Sequence, residues 1–207
     1  MTDPRTALVA AGYDAMTDAW EAWKAQIADD PRADWCGELV SRLPRGVCVV
    51  ELGCGGGTEE TRVLAERFSL TAVDLSREQL RRARARVPGA TFVLDDITEL
   101  ELASASVDAV AAFYVLNHVP RELLPGLFER IHRWLVDGGL FLATLGAGDL
   151  PGWTGEWLGY PTYFAGFTPD ENRRLLADAG FRLERDEVVT IQEPEGAATF
   201  QWVLATR

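Results

Sequence analysis

The 207-residue sequence predicts an α/β fold with seven strands in a doubly wound, mostly parallel sheet, an antiparallel last strand and helices on both faces. Three observations carry that expectation. From residue 46 onward, short apolar and β-branched runs alternate with longer helical patterns, the order that builds a parallel sheet through right-handed crossovers. A glycine cluster stands where the first of these runs meets the first helix. The final two runs are separated only by Pro194-Glu195-Gly196, a turn that pairs its flanks antiparallel.

Each element has a local cause. Leu8, Val9, Tyr13, Met16, Trp20, Trp23 and Ile27 recur near helical spacing and predict a helix over 6–28. A second helix is expected over 32–43, stopped by Pro44, so that residues 1–45 form a helical cap ahead of the sheet domain, 46–207. Val47 to Leu52 is a strand buried on both faces, followed by helix 58–67 and strand 70–74. Ser76 with Gln79 reads as a capping box for helix 77–87, which Pro88-Gly89 ends. Strands 91–94 and 107–114, helix 121–135 and the turn Asp137-Gly138-Gly139 into strand 140–145 continue the alternation. Thr168 with Glu171 opens the next helix and Gly180 closes it, before strands 182–192 and 198–206. The stretch 146–167 breaks the rhythm: it holds six glycines and six aromatic residues without a lysine or arginine, and is expected to be a long loop acting as a lid or binding wall.

Composition narrows the function. A net charge of −12, from 32 acidic and 20 basic residues, disfavours nucleic acid and anionic membrane as partners. Three cysteines without C-x-x-C spacing predict neither a disulfide framework nor a cysteine metal site and fit a reducing, cytoplasmic compartment. The start Met-Thr-Asp-Pro-Arg has no apolar run behind it, so no signal peptide is expected.

The glycine loop carries the chemistry. Glu51-Leu-Gly53-Cys54-Gly55-Gly56-Gly57 follows a buried strand and opens a helix, and Asp74 ends the next strand. That placement lets a ligand approach the bare backbone while a carboxylate accepts both hydroxyls of a ribose, so a nucleoside-containing ligand is expected. A dinucleotide fingerprint would require glycine where Thr58 stands, and Glu51 beside a pyrophosphate would be repulsive, which disfavours a nicotinamide dehydrogenase.

With these motifs the chain resembles the class I S-adenosylmethionine-dependent methyltransferases, a Rossmann-like family, over about residues 46–145. The resemblance implies S-adenosyl-L-methionine as cofactor. It sets Glu51, Gly53, Cys54, Gly55 and Gly57 around the methionine and ribose moieties, and Asp74 and Leu75 at the ribose. In Asp95-Asp96-Ile97 the second aspartate falls at the adenine amino group and the Ile97 backbone amide at the ring nitrogen, with Asp95 also expected at the cofactor, and Phe113 falls in the fourth motif. Tyr13-Asp14 is similar to a tyrosine-aspartate pair in the helical lid of small-molecule members; a core tyrosine on an amphipathic helix explains Tyr13 equally well.

Methyl transfer is an in-line displacement, so the protein aligns a nucleophile and excludes water. Acceptor-side residues are expected at Tyr13, Trp20, Tyr114, Asn117, His118, Trp153, Trp157 and Tyr160. His118, just past a strand end, is the candidate general base, with packing or capping before Pro120 as its alternative; His132, inside a helix, is read as structural. No metal site is expected. The leading expectation is methylation of an O or N atom of a small molecule, in specialised metabolism, by a monomer or homodimer. Modification of a peptide or protein, and a non-catalytic cofactor-binding regulator, remain the alternatives.

Overall fold

The computed structural model describes residues 3–207. After helices α1 (Pro4–Lys24) and α2 (Arg32–Arg42), strand β1 (Cys48–Leu52), helix α3 (Glu59–Arg67), β2 (Ser69–Asp74), α4 (Arg77–Arg86), β3 (Thr91–Leu94) and β4 (Val107–Ala112) follow in order. Helix α5 (Leu124–Trp134), β5 (Leu135–Gly146), a hairpin of β6 (Leu150–Trp157) and β7 (Tyr160–Gly166), helix α6 (Pro169–Asp178), β8 (Arg182–Glu193) and β9 (Gly196–Thr206) complete the chain. The main sheet has seven strands in the order β3-β2-β1-β4-β5-β9-β8. β1 lies parallel between β2 and β4, and β9 runs antiparallel to both β5 and β8. The strand order therefore reverses between β1 and β4, and the crevice beyond their carboxyl ends is where ligands bind in open sheets of this kind.

Both faces of the sheet are covered. One core packs Phe128, Trp134, Phe141 and Phe181 beneath α5 and α6, and the other packs Trp35, Leu39, Leu64, Leu80 and Trp202 beneath α2, α3 and α4. A third, small cluster of Val9, Tyr163 and Ala165 joins α1 to β7. The expected caps hold in part. The Ser76 and Thr168 side chains accept from the Gln79 and Glu171 backbone N–H groups, while a reciprocal box forms at Thr58 and Thr61.

Several boundaries differ from expectation. Helix 6–28 ends at Lys24, and helix 121–135 is a single-turn 3₁₀ segment followed by α5 from Leu124. Strand 107–114 ends at Ala112, because Tyr114 adopts φ 54°, outside strand geometry. The largest correction is at 146–167, which is an antiparallel β-hairpin and not a loop. Its two-residue turn is Leu158-Gly159, with φ of 53° and 81°, the double positive φ that matches strand twist. A leucine at the first position hides that turn from a sequence reading. No helix among the described residues is long and apolar enough to cross a membrane.

Candidate active site

The carboxyl ends of β1, β2 and β4 open into a cavity of about 440 Å³. On one side it is walled by the glycine loop, and on the other by α1, the β6–β7 hairpin and the tip of β8–β9. Of the expected cofactor residues, Tyr13, Gly53, Cys54, Gly55, Asp74, Leu75, Ile97 and Phe113 line it. Asp74 accepts from the Gly55 N–H at 2.8 Å and the Ser76 N–H at 2.9 Å. Burial pushes its carboxyl up to about 6 against the pull of those backbone bonds.

Four expected cofactor residues lie outside the lining. Glu51 sits just behind the loop, 2% exposed, accepting from Thr61 Oγ1 at 3.1 Å through one oxygen while the other has no partner. Burial raises it to about 7. Gly57 serves helix packing: with φ 76°, a Cβ there would stand 3.0 Å from the Ala83 backbone. Asp95 accepts from the Asp96 N–H, and Asp96 holds Thr98 through one oxygen with its second buried and unpartnered. Unpartnered buried oxygens on Glu51 and Asp96 are the pattern left by a ligand that brings an ammonium at one end and an amino group at the other. With the Asp74 carboxylate, which lines the cavity, between them, this set of acceptors fits S-adenosylmethionine.

On the acceptor side Tyr13, Trp20, Tyr114, Asn117, His118 and Trp157 line the cavity, whereas Trp153 and Tyr160 do not. Trp153 is 41% exposed and stacks on the outer side of Phe164, and Tyr160 pairs with Trp157 beside the hairpin turn. His118 is 9% exposed, and its ring is held at both nitrogens. Nδ1 lies 2.9 Å from the Tyr163 carbonyl, which only accepts, so Nδ1 carries the proton. Nε2 is therefore the bare acceptor, and Tyr13 Oη donates to it at 2.9 Å. Burial lowers His118 to about 4 and raises the Tyr13 phenol, so both are neutral near pH 7. Asn117 Oδ1, on the same wall, is buried without a partner.

Helix α1 closes the cavity from above. Asp14 accepts from Ser76 Oγ at 2.6 Å and the Glu78 N–H at 3.0 Å, and Asp18 and Glu21 pair with Arg82 and Arg86, each at 2.6 Å. Trp20 is thereby laid against Gly55, whose added Cβ would meet its ring at 3.5 Å.

Sequence reasoning missed four charged residues and a glutamine in the lining. Arg32 stands over the Tyr114 ring at 4.8 Å and pairs with Asp30 at 2.8 Å, with its Nε buried and unpartnered. Lys24, with its Nζ 5.1 Å from the Trp20 ring, is the chain's only lysine. Glu193 comes from the end of β8, and Gln79, 1% exposed, has both amide atoms unpartnered. Two signals were available: a lone lysine, and an arginine opening α2 against the helix dipole.

The comparisons with known proteins agree with this geometry. Residues 49–139 match the family described as a methyltransferase domain. A trans-aconitate 2-methyltransferase from Variovorax paradoxus is 38% identical over 110 residues, 50% of this chain and 42% of the relative. The chain spans about half the length of the curated relatives it matches. The solved structure of a Burkholderia thailandensis 1,6-didemethyltoxoflavin-N1-methyltransferase, with that compound and S-adenosylhomocysteine bound, superposes with TM-score 0.75 at 21% identity, covering 100% of this chain and 91% of the other. The magnesium protoporphyrin IX methyltransferase of Synechocystis superposes with TM-score 0.72 at 16% identity, covering 98% and 99%. At such identities these likenesses establish the fold. Residues 49–139 match the methyltransferase-domain family, and the sheet around them has the fold of these solved methyltransferases.

Proposed function

We propose that this chain is an S-adenosylmethionine-dependent methyltransferase that transfers a methyl group to an oxygen or nitrogen atom of a small molecule, with residues 1–45 as a helical cap over the catalytic domain, 46–207. One observation carries the reading: a single cavity joins Asp74, at the end of β2, to the Tyr13–His118 pair. The cofactor supplies the activated methyl group. Asp74 accepts the ribose hydroxyls, Glu51 faces the ammonium, and Arg32 and Lys24 face the carboxylate of the methionine moiety. Tyr13 and His118 sit at the junction with the acceptor half. There Tyr13 Oη receives the acceptor proton as it passes its own to His118 Nε2, and the Tyr163 carbonyl stabilises the cation at Nδ1. Trp157 and Phe164 keep this junction dry, which suits a displacement whose transition state disperses the sulfonium charge.

Calorimetric titration with S-adenosylmethionine, S-adenosylhomocysteine and NADH tests the cofactor. Micromolar binding of the first two without the third is expected, followed by transfer of labelled methyl to acceptors in a small-molecule panel. Binding of NADH alone would overturn the reading and point to hydride transfer.

A further inference from the structure

We propose that the acceptor half of the cavity selects a ring-bearing molecule whose cationic or hydrogen-bond-donating group seats on Glu193, and that it rejects carboxylates; this rests on the methyl-transfer reading above. Val189, Ile191 and Glu193 share the inward face of β8, opposite Phe200 and Ala198 of β9. Phe200 meets the Tyr114 ring edge-on, with centroids 4.9 Å apart, and both line the cavity. Trp23 adds a third aromatic wall, fixed by its indole N–H donating to Glu195 at 2.6 Å. At this tip Glu193 is half-buried, and among the described residues no cation or donor engages its carboxylate. Desolvation beside Glu195 pushes it up to about 7, so the ionised form lacks compensation within the protein.

The cavity's two cations do not offset it. Arg32 is engaged by Asp30 and stacked on Tyr114. Lys24 borders the glycine loop, where it also walls a smaller cavity with Gly56, Gly57 and Thr58. Lys24 therefore lies at the glycine loop and the Arg32 charge is neutralised by Asp30, so a carboxylate entering between Phe200, Tyr114 and Trp23 meets the like charge of Glu193. A protonated amine or an N–H or O–H group there gains both the carboxylate and the aromatic faces. Trp23, Glu193 and Phe200 lie outside the matched methyltransferase family segment, 49–139, while Tyr114 lies within it.

The test uses the full chain saturated with S-adenosylhomocysteine at about pH 8, titrated with benzylamine, benzyl alcohol, benzoate and trans-aconitate while tryptophan fluorescence is followed. Benzylamine is expected to bind at least about tenfold more tightly than benzoate or trans-aconitate, with benzyl alcohol between. Glu193→Gln should reduce that preference to about twofold, and Glu193→Lys should invert it, both with unchanged affinity for S-adenosylhomocysteine. Equal or tighter binding of benzoate or trans-aconitate, no binding of benzylamine, or a preference that survives Glu193→Gln would overturn the assignment. Failure of S-adenosylhomocysteine to bind in the first titration would instead overturn the methyl-transfer reading.

Discussion

Glu51 and His118 are both held by burial in states that cost stability as pH changes, and the proposed cofactor and acceptor sites give that cost a use. Burial raises Glu51 from its ordinary range to about 7. A carboxyl raised on folding gives its full stability below its unfolded pKa and loses it as pH rises through the folded value, so near pH 8 the ligand-free fold bears an uncompensated charge. Glu51→Gln should raise thermal stability at pH 8 by roughly 1–3 kcal/mol while weakening S-adenosylmethionine binding, measured by melting and calorimetry on the same preparation. Loss of both together would mean that Glu51 only supports the fold. His118 is lowered to about 4, so its contribution is complete above pH 6.5 and is lost as pH falls toward 4. With two histidines in the chain, proton NMR can follow each. The His118 ring should show no titration step near 6.5, and His118→Ala should lower turnover about 10²-fold or more with cofactor affinity within about threefold.

At the scale of elements, α1 is the strap that joins the two halves of the cavity. It is pinned to α4 by Asp14, Asp18 and Glu21, and it lies so close to β7 that a Cβ on Gly12 would stand 2.4 Å from the Pro161 carbonyl oxygen. Gly12→Val should force the helix away, costing roughly 1–3 kcal/mol of stability and shortening cofactor residence in a stopped-flow chase. Asp14→Ala removes the α4 contacts without steric strain; about 1 kcal/mol of loss with faster cofactor release is expected, and an unchanged release rate would deny α1 its strap role. The alternation from β1 to β5 and the antiparallel end were legible because buried strands, caps and glycine turns leave local signatures. The β6–β7 hairpin was not, because its turn places a leucine at positive φ and its strands are dense in glycine. That Tyr13, Asp74 and His118 line one cavity was legible through motif spacing and their place at element ends. Arg32 and Glu193 were not, since each reaches the cavity from an element end that sequence distance separates from the glycine loop. Trp153 was misplaced because aromatic content alone does not say how far along a hairpin a ring sits.

Over the whole molecule, the proposed cofactor site links charge to ligand through the protons that its carboxyls hold. The chain carries −12 overall, and the two carboxyls proposed to face the ribose and ammonium, Asp74 and Glu51, are raised to about 6 and about 7. Ribose hydroxyls and an ammonium stabilise the ionised forms of these groups, so binding lowers both pKa values and expels protons between them and neutrality. A ligand-bound state that holds fewer protons binds more tightly as pH rises, until the free protein has itself lost them. Affinity for S-adenosylmethionine should therefore increase roughly tenfold from pH 5.5 to 7.5 and level off above. Calorimetry at pH 6.5 in two buffers of different ionisation enthalpy should report net proton release, and Glu51→Gln should reduce it. Ionic strength separates this effect from steering by the global charge: added salt screens the −12 field, whereas protons exchanged inside a closed cavity respond to it weakly. A pH dependence that vanishes in high salt would assign it to the surface; one that persists in salt but disappears in Glu51→Gln assigns it to the carboxylate behind the glycine loop.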